Sequence, residues 1–499
     1  MRKRAILSLI TLLCFHLIVL PPTSRAYRSP QIRDEKFTQI LRLAQIKLDG
    51  LHASLQFPGA TVGFVLPDGR AGSVSTGVVD RESKIPLKPS DQILAGSIGK
   101  TFVAAETVLL VQEKKLSLDE KIARWIGNER WFGQLPNANE ITLRMLLNHS
   151  SGIPNHAESK SFFTAATKNA ETDIKYEDLL DYVLNKKPLF AAGQGFSYSD
   201  TNYILVGLII EKVTGNTLYD EITRRFLVPL GLRHTIPSNN RSLLLGVNGY
   251  YEDKAMIKKG KFYINPQWEW AGGGFASTAE DLARWAKALY GGEVLTRERL
   301  DEMLNSTSIG DGASYGLGVE IITTKFGKAY GHDGEFPGYR SNMRYFPRYD
   351  IAVAAQVNGD EMSGANRFIA TAVEDFAQLA IGELFAEQLS APEKLRIQQT
   401  AEAWLHVVDQ AKFADSWDGI SAELQAKYPR NQWPAVIRSF RQKAGNFRAR
   451  KFKSVFSSEE GTVAVEFESA FAKLPTGIET LIMKRGPDGR WRIASYSLR

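Results

Sequence analysis

Apolar residues recur at helical spacing in several separate stretches of the chain. In Asp34–Leu48 they lie on one face of a helix, and the same periodicity predicts helices over Thr101–Gln112, Thr278–Leu289 and Ser363–Gln388. These stretches are far apart, so other elements must connect them. The pattern therefore predicts helices at both ends and in the middle of one large unit.

Shorter apolar runs bounded by turn residues predict strands between those helices. Residues 59–67 and 72–79 flank a Pro-Asp-Gly turn, and Tyr339–Tyr345 and Ile351–Val357 form a predicted hairpin. Residues 155–188 are polar with patchy periodicity and are interpreted as a mobile insertion or lid. Residues 27–389 are therefore predicted to contain both strands and helices.

The pattern changes after Ser390-Ala-Pro. Ala391–Gln410 is predicted to be helical, and three strands are predicted at Thr462–Phe467, Gly477–Met483 and Arg490–Tyr496. Helix followed by strands indicates a second, small α+β domain at 391–499.

The first 26 residues are typical of a secretory signal peptide. Arg2-Lys3-Arg4 precedes the apolar run Ala5–Leu20, and Ser24-Arg25-Ala26 resembles a cleavage site. The alternative is an uncleaved membrane anchor, although 16 residues is short for a span, which needs about 20. We expect a bacterial protein exported to the periplasm or beyond the cell, with no membrane span after cleavage.

Composition and charge remove several classes of function. The chain has 499 residues, a formal net charge of +7 and one cysteine, Cys14, inside the predicted signal peptide. The mature chain would therefore have no disulfide, cysteine nucleophile or thiolate metal site. Residues 1–26 carry four basic residues and no acid, and residues 391–499 carry 18 Lys and Arg against 12 Asp and Glu, so residues 27–390 have a net charge of −3 and are weakly acidic. No nucleic-acid partner is expected for this larger unit.

Ser97-Ile-Gly-Lys100, just before an apolar helix, is the first candidate for chemistry. A serine at a helix N-terminus is surrounded by backbone N–H groups, and a lysine three residues later lies on the same face. A serine needs a nearby base to become a nucleophile. Alone, the pair is more typical of a helix cap with a surface lysine than of a catalytic pair. Ala95-Gly-Ser97-Ile-Gly99 also nearly matches the nucleophile elbow of α/β-hydrolases.

Two further motifs follow in a meaningful order. Tyr198-Ser-Asp200 and His332-Asp-Gly334 come after Ser97-x-x-Lys100, and this order resembles the three motifs of the serine β-lactamase and penicillin-binding protein family. The similarity spans roughly residues 35–385 and is closest to the branch of class C β-lactamases, D-aminopeptidases, DD-carboxypeptidases and esterases. Supporting segments begin at Leu146, Gly193, Pro229, Ala271 and Tyr315.

The resemblance implies a fold and a set of roles. The fold would be a β-lactamase/transpeptidase-like antiparallel sheet flanked by helices, with a helical lobe, in which the first and last helices pack together. Ser97 would be acylated, and Lys100 and Tyr198 would share the roles of general base and acid. The backbone N–H groups of Ser97 and Glu335 would form the oxyanion hole. No cofactor and no metal are implied.

Substrate contacts are implied for Asp200, His332 and Gly334. Gly334 would leave room for substrate along its strand. His332 stands where β-lactamases usually have Lys, and Asp200 stands where Asn is commoner. A histidine is only partly charged at neutral pH, and Asp333 would repel a carboxylate. Efficient β-lactam hydrolysis is therefore disfavoured.

The expected function is hydrolysis of a small molecule or short peptide carrying a D-amino acid, as an amide, peptide or ester, through a Ser97 acyl-enzyme. The alternatives are a weak β-lactamase, a sensor that acylates without turnover, and a protein that uses the motifs only structurally. His149 and the other histidines lack metal-ligand spacing, and His149 is interpreted as structural.

The C-terminal piece resembles a small uncharacterised domain of bacterial exported proteins, with a cone-shaped fold of the nuclear-transport-factor-two type as the expected architecture. It contains a basic cluster, Arg448, Arg450, Lys451 and Lys453. The cluster is interpreted either as a solvated strand edge or as a docking surface for an anionic cell-envelope polymer.

Overall fold

The computed structural model describes residues 34–168, 174–243, 245–310, 312–360, 364–385, 389–457 and 462–498. The predicted signal peptide lies outside these residues. The helices are α1 Asp34–Leu55, α2 Gly99–Gln112, α3 Ala123–Ile126, α4 Leu143–Leu147, α5 Lys160–Lys168, α6 Asp200–Thr214, α7 Leu218–Ile222, α8 Ala279–Tyr290, α9 Arg297–Leu304, α10 Ala365–Phe385, α11 Ala391–Asp409, α12 Ala422–Lys427 and α13 Trp433–Ala444.

The strands form one large sheet and several small ones. They are β1 Gly59–Val65, β2 Ala71–Gly77, β3 Ile93–Leu94, β4 Ile236–Pro237, β5 Tyr250–Tyr251, β6 Lys254–Ala255, β7 Ile257–Lys258, β8 Lys261–Phe262, β9 Phe275–Ser277, β10 Thr307–Gly310, β11 Ala313–Tyr315, β12 Glu320–Thr324, β13 Gly327–Phe336, β14 Tyr339–Phe346, β15 Ile351–Val357, β16 Phe447–Ser457, β17 Thr462–Phe471, β18 Gly477–Arg485 and β19 Trp491–Leu498. The large sheet is antiparallel, in the order β10-β11-β12-β13-β14-β15-β1-β2.

Helices cover both faces of this sheet at its centre. Every residue of β1 and β15 is buried, because α1 and α10 pack on one face and α8 packs on the other. This explains why both strands are nearly continuous apolar runs rather than alternating ones. The predicted contact between the first and last helices of the unit is confirmed.

A helical body beside the sheet surrounds α2. Most of α2 is buried on all sides, as its apolar sequence requires, and α6 packs against it. Phe102 stacks on Trp285 of α8 at 4.1 Å between ring centroids. The Trp285 indole donates to the Thr101 hydroxyl over 2.7 Å. These contacts fix the helix whose first turn carries Ser97 and Lys100.

The C-terminal domain is a four-stranded antiparallel sheet, β16-β17-β18-β19, with its helices packed against it. Its apolar core includes Trp404, Trp433, Phe467, Leu481 and Ile493. The expectation of an α+β domain is confirmed, and the comparison with the nuclear-transport-factor-two cone stays a prediction.

The two bodies meet through both apolar and charged contacts. Ala464 of β17 joins the apolar cluster under α10. Lys325, in the turn between β12 and β13, makes a 2.6 Å ion pair with Glu466 of β17. Gln378 of α10 accepts from Lys325 over 2.8 Å and donates to Ser454 over 2.8 Å. The C-terminal domain is thus docked on the larger unit, residues 27–389, by a buried ion pair.

The proposed basic cluster on β16 is not one surface, which corrects the sequence interpretation. Arg450 turns inward and makes ion pairs of 2.6 Å with both Asp409 and Glu479. Lys453 lies 3.9 Å from Asp375 of α10. Only Arg448 and Lys451 are exposed without such partners among the described contacts. Two bulges interrupt the register of β16 and turn its basic residues in different directions.

Most predicted elements are confirmed, with shifted ends. The helix predicted at Asp34–Leu48 continues to Leu55, and α8 begins after the N-cap Thr278, whose hydroxyl accepts from Asp281 N. Within 155–188 the structure has α5 and two short 3-10 segments, and residues 169–173 are not described. The elements that the sequence analysis did not predict include α6, α9, the strands β10 to β12 of the large sheet, β16, α12 and α13. Among the described helices, none combines the length and apolar character needed to cross a membrane.

Candidate active site

Ser97 lies in a short 3-10 turn, Gly96–Ile98, that runs directly into α2. Gly96 has a φ of 57°, in the left-handed region that favours glycine. A Cβ on Gly96 would also lie 2.4 Å from the backbone nitrogen of Glu335 on β13. Glycine at this position therefore lets the turn approach β13, and Ser97 is left partly exposed at the junction.

Lys100 points back at Ser97 from one turn along α2. Its ammonium is completely buried and lies 3.0 Å from Ser97 Oγ. It also donates to Asp200 Oδ1 and to the Gly272 carbonyl, both at 2.5 Å. Three acceptors match the three N–H donors of an ammonium group. The predicted meeting of the serine and lysine is therefore present in the structure.

Asp200, the first residue of α6, is the charge partner of Lys100. Burial acts to raise the pKa of the Asp200 carboxyl, but the adjacent Lys100 ammonium outweighs burial and holds that pKa below its ordinary value. Its second oxygen accepts from Asn155 Nδ2 over 3.4 Å. The sequence analysis expected Asp200 to meet substrate. That contact stays a prediction, and the ion pair with Lys100 is the role the structure adds.

Tyr198 closes the site opposite Lys100. Lys100 Nζ lies 4.9 Å from the centre of its ring, and the ring packs on His149 at 4.3 Å. Burial and then the negative charge of Asp200 raise the pKa of Tyr198 well above its ordinary value, with the nearby Ser97 hydroxyl opposing them. The phenol oxygen is buried and forms no hydrogen bond among the described residues. Tyr198 is therefore a protonated phenol facing the serine.

The β13 edge next to Ser97 is open. β12 pairs with β13 only as far as Gly331, which faces Glu320. Beyond that point Asp333 N donates to the Glu320 carboxylate over 3.2 Å. Backbone N–H groups two residues apart point to the same edge of a strand, so the Glu335 N–H is directed to the side where the Ser97 turn lies. This is the arrangement expected of an oxyanion hole.

Gly334 is required for a different reason from the one expected. A Cβ there would lie against the Ala95 carbonyl and 2.3 Å from Ser341 Oγ, inside the protein. The glycine lets β13 pack against the segment before Ser97. A side chain at this position would enter the protein interior and would not occupy the space for substrate.

His332 also differs from its expected place. Only 1% of it is exposed, and its two ring nitrogens contact the Tyr315 hydroxyl at 2.8 Å and the Asp333 carbonyl at 2.6 Å. Burial lowers the pKa of His332, with Glu320 opposing and Lys100 adding to the shift. The structure thus places a neutral imidazole behind the cleft, whereas the sequence analysis expected it to contact substrate.

Asp333 and Arg344 form a pair that sequence reasoning missed. Arg344 is buried on β14 and binds both Asp333 Oδ1 at 2.6 Å and Glu320 Oε2 at 2.7 Å. The expected repulsion of a substrate carboxylate by Asp333 is therefore reduced by a cation beneath it. Residue spacing gave no sign of Arg344, because strand pairing brings it to this position.

Glu269 is a second missed residue. It is 4% exposed, and its carboxyl makes no hydrogen bond or ion pair among the described contacts. A Cβ on Gly273 would touch both Glu269 Oε1 and the Gly96 backbone, so the acid lies beside the nucleophile turn. Burial raises the pKa of Glu269 to about 8, with Lys100 opposing. Within the described ranges, no cluster of His, Cys, Asp and Glu could hold a metal ion.

This site and fold define a serine hydrolase of the penicillin-recognising type. The beta-lactamase family model matches residues 45–378, and the chain belongs to that family. A second model, a protein of unknown function (DUF4019), matches residues 400–496. The antiparallel sheet excludes the α/β-hydrolase alternative, whose nucleophile elbow sits on a different kind of sheet.

Similar proteins of known structure or curated sequence agree with this family assignment. Penicillin-binding protein 4* of Bacillus subtilis is 24% identical over 337 residues, covering 64% of this chain and 71% of that protein. A D-stereospecific amidohydrolase from Streptomyces is 25% identical with a TM-score of 0.58, covering 67% of this chain and 98% of its own. The D-amino acid amidase of Ochrobactrum anthropi SV3 is 26% identical with a TM-score of 0.55, covering 67% of this chain and 97% of the amidase.

Proposed function

We propose that this serine hydrolase is exported and cleaves D-amino-acid amides, short peptides or esters through an acyl-enzyme on Ser97. The observation that carries the proposal is the 3.0 Å contact between Ser97 Oγ and the buried Lys100. The names of the amidohydrolase and amidase that share this fold support the D-amino-acid substrate class. Residues 1–26 support export.

The reaction follows from the positions of the side chains. Ser97 Oγ attacks the substrate carbonyl carbon, and its proton passes to Lys100 in the fraction of molecules whose amine is deprotonated, since the ammonium form only donates to Ser97 Oγ. The Ser97 and Glu335 amides stabilise the oxyanion. The C–N or C–O bond then breaks, the Tyr198 phenol gives its proton to the leaving group, and the proton taken up by Lys100 passes to the phenolate and restores both groups. Water attacks the acyl-enzyme, releases the acid and restores the Ser97 hydroxyl.

Two acids favour an amine-bearing substrate. Asp200 is ionised beside Lys100, and the buried Glu269 carboxyl beside Gly96 would ionise next to a bound cation, so both favour a cationic group over a bare acceptor. A free α-amine on the D-amino acid is such a group. A β-lactam carries a carboxylate instead, so weak β-lactam turnover is expected.

Intact mass after treatment with a fluorophosphonate tests the nucleophile. The wild-type protein is expected to gain one adduct, while Ser97→Ala gains none. The absence of an adduct on folded wild-type protein would contradict the proposal. The substrate class is then tested with D- and L-phenylalanine amide and a penicillin. Hydrolysis of the D-amide at least about tenfold faster than the L-amide is expected, and a burst without turnover would identify a sensor instead.

The accessory domain is proposed to contact the cell envelope through Arg448 and Lys451, which remain exposed on β16. Binding of the protein to isolated cell-wall polymer is expected to weaken as salt rises. Retention that is unchanged in a variant with both residues replaced by Ser would contradict this part of the proposal.

A further inference from the structure

A chain of hydrogen bonds runs behind the candidate active site and begins at the Tyr198 loop. The backbone N–H of Ser199 donates to His149 Nδ1 over 3.2 Å. An amide nitrogen only donates, so Nδ1 must hold a lone pair. His149 is fully buried, and burial lowers its pKa well below the ordinary value. The ring is therefore neutral with its proton on Nε2, which lies 3.2 Å from the Tyr315 hydroxyl.

The position of the proton on His332, at the other end of this series of hydrogen bonds, follows from the same reasoning. His332 Nδ1 lies 2.6 Å from the Asp333 carbonyl, and a carbonyl only accepts. The proton of the neutral His332 ring is therefore on Nδ1. Its Nε2 holds a lone pair and accepts from the Tyr315 hydroxyl over 2.8 Å. The two histidines must therefore be opposite tautomers.

Tyr315 is the group that joins the two ends. Its oxygen accepts from His149 and its proton goes to His332, which leaves one consistent direction for the whole chain. The nearby Tyr203 hydroxyl donates elsewhere, to the Leu147 carbonyl over 2.9 Å. The rings of His149, Tyr315 and His332 also surround Tyr198, at 4.3, 6.1 and 6.1 Å between centroids.

We propose that Tyr315 is a positioning residue, whose hydroxyl joins the opposite tautomers of His149 and His332 and so holds the loop that carries Tyr198 at a fixed distance from the β13 edge. It connects the acid–base side of the site with the strand that carries the Glu335 amide. The effect of Tyr315 on catalysis rests on the proposed function, whereas the tautomers do not.

The charges around His332 give the proposal a pH dependence. Glu320 of β12 lies 3.7 Å from Nδ1 and favours the charged ring, while Lys100 of α2 and Arg344 of β14 oppose it. Asp333 follows His332 on β13, and neutral His149 faces it through Tyr315. Removal of the Tyr315 hydroxyl frees Nε2 to take a proton. The pKa of His332 is then expected to rise, and the charged ring would no longer fit the chain.

The first test reads the tautomers directly. Long-range nitrogen–proton NMR of histidine-labelled wild-type protein is expected to show His332 protonated on Nδ1 and His149 on Nε2. In Tyr315→Phe, His332 Nε2 has lost its hydrogen-bond donor and is expected to take up a second proton at a higher pH than in the wild type. The matched control is Tyr290→Phe, because the Tyr290 hydroxyl is also buried but has no hydrogen-bond partner among the described residues. The opposite tautomer at either histidine of the wild type would overturn the proposal.

The second test reads the chemistry. Fluorophosphonate labelling of Ser97 in Tyr315→Phe is expected to be about tenfold slower at neutral pH, corresponding to ~1.4 kcal/mol. The acid limb of its pH profile should move to higher pH, while Tyr290→Phe follows the wild type. A Tyr315→Phe profile that superimposes on the wild type would also overturn the proposal. An unlabelled wild type would instead refute the proposed function and leave the tautomer test standing.

Discussion

Both bodies of the protein bury charged side chains, but they pair them differently. In the C-terminal domain Arg441 and Arg450 face Asp409 and Glu479, so two cations are matched by two acids. Beside the turn that carries Ser97, one cation, Lys100, is paired with Asp200. A second acid there, Glu269, has no partner among the described contacts.

The difference separates a structural use of buried charge from a chemical one. A matched set can hold a fold together, because each charge stays solvated by its partners. An unmatched acid costs stability, and unusual pKa values of this kind are concentrated at functional sites. The catalytic body thus keeps an arrangement that stability alone would not favour.

The largest expected effect comes from Lys100→Met. Since Lys100 is the side chain within hydrogen-bond distance of Ser97 Oγ, fluorophosphonate labelling should slow by roughly 10³-fold, in the range typical of lost general-base catalysis. The matched control is Lys325→Met, which removes another buried lysine, 6% exposed, far from the serine. Equal labelling rates for the two variants would contradict a catalytic role for Lys100.

In the C-terminal domain, loss of a buried charge should lower stability and leave Ser97 labelling unchanged. Glu479→Gln leaves Arg441 and Arg450 with only Asp409, and breaking a buried pair costs about 3–5 kcal/mol. Thermal unfolding should occur at lower temperature while Ser97 labelling of the folded protein is unchanged. The control is Glu423→Gln, which removes an exposed ion pair with Lys484 and should change neither measurement. Loss of labelling in Glu479→Gln would show that the two bodies are coupled.

A smaller effect is expected at the contact between the bodies. Lys325→Met removes the ion pair with Glu466 and the hydrogen bond to Gln378. Apolar contacts around Ala464 remain, so the domains should stay docked but open more often. Limited proteolysis that separates the two domains is expected to be a few times faster than in the wild type. An unchanged cleavage rate would mean that the contacts which do not involve Lys325 hold the interface by themselves.

The sequence predicted most of the fold because its signals were local. Periodicity placed α1, α8 and α10, and turn residues placed the hairpin of β14 and β15. The strand β16 was missed because charged residues interrupt its apolar pattern, and two of those residues, Arg450 and Lys453, have charge partners that only the tertiary structure brings to them. Local pattern could not reveal such pairing.

The site, like the fold, was predictable only where its residues are close in sequence. Ser97 and Lys100 are close in sequence, so helix geometry alone brings them together. Arg344, Glu269 and the link through Tyr315 depend on strand pairing and on loops that meet only in the folded protein. The place of His332 differed from expectation for this reason, because its hydrogen-bond partner comes from another strand.

The unpaired acid predicts a pH-dependent stability of its own. Burial raises the pKa of Glu269 to about 8, above the 4.5 of an unfolded chain. Between these values the folded state keeps a proton that the unfolded state has lost, so its contribution to stability is present at low pH and declines as the pH rises. In Glu269→Gln this decline is absent.

The stability of Glu269→Gln minus that of the wild type should therefore grow by ~1 kcal/mol per pH unit between about pH 5 and 8. Urea unfolding at several pH values measures the difference, and it cancels the similar contribution of Glu106, whose pKa is also raised by burial to about 8. Parallel curves for the two proteins would mean that Glu269 has a partner for its charge. A difference that appears only without a bound D-amino acid would show that a substrate amine is that partner.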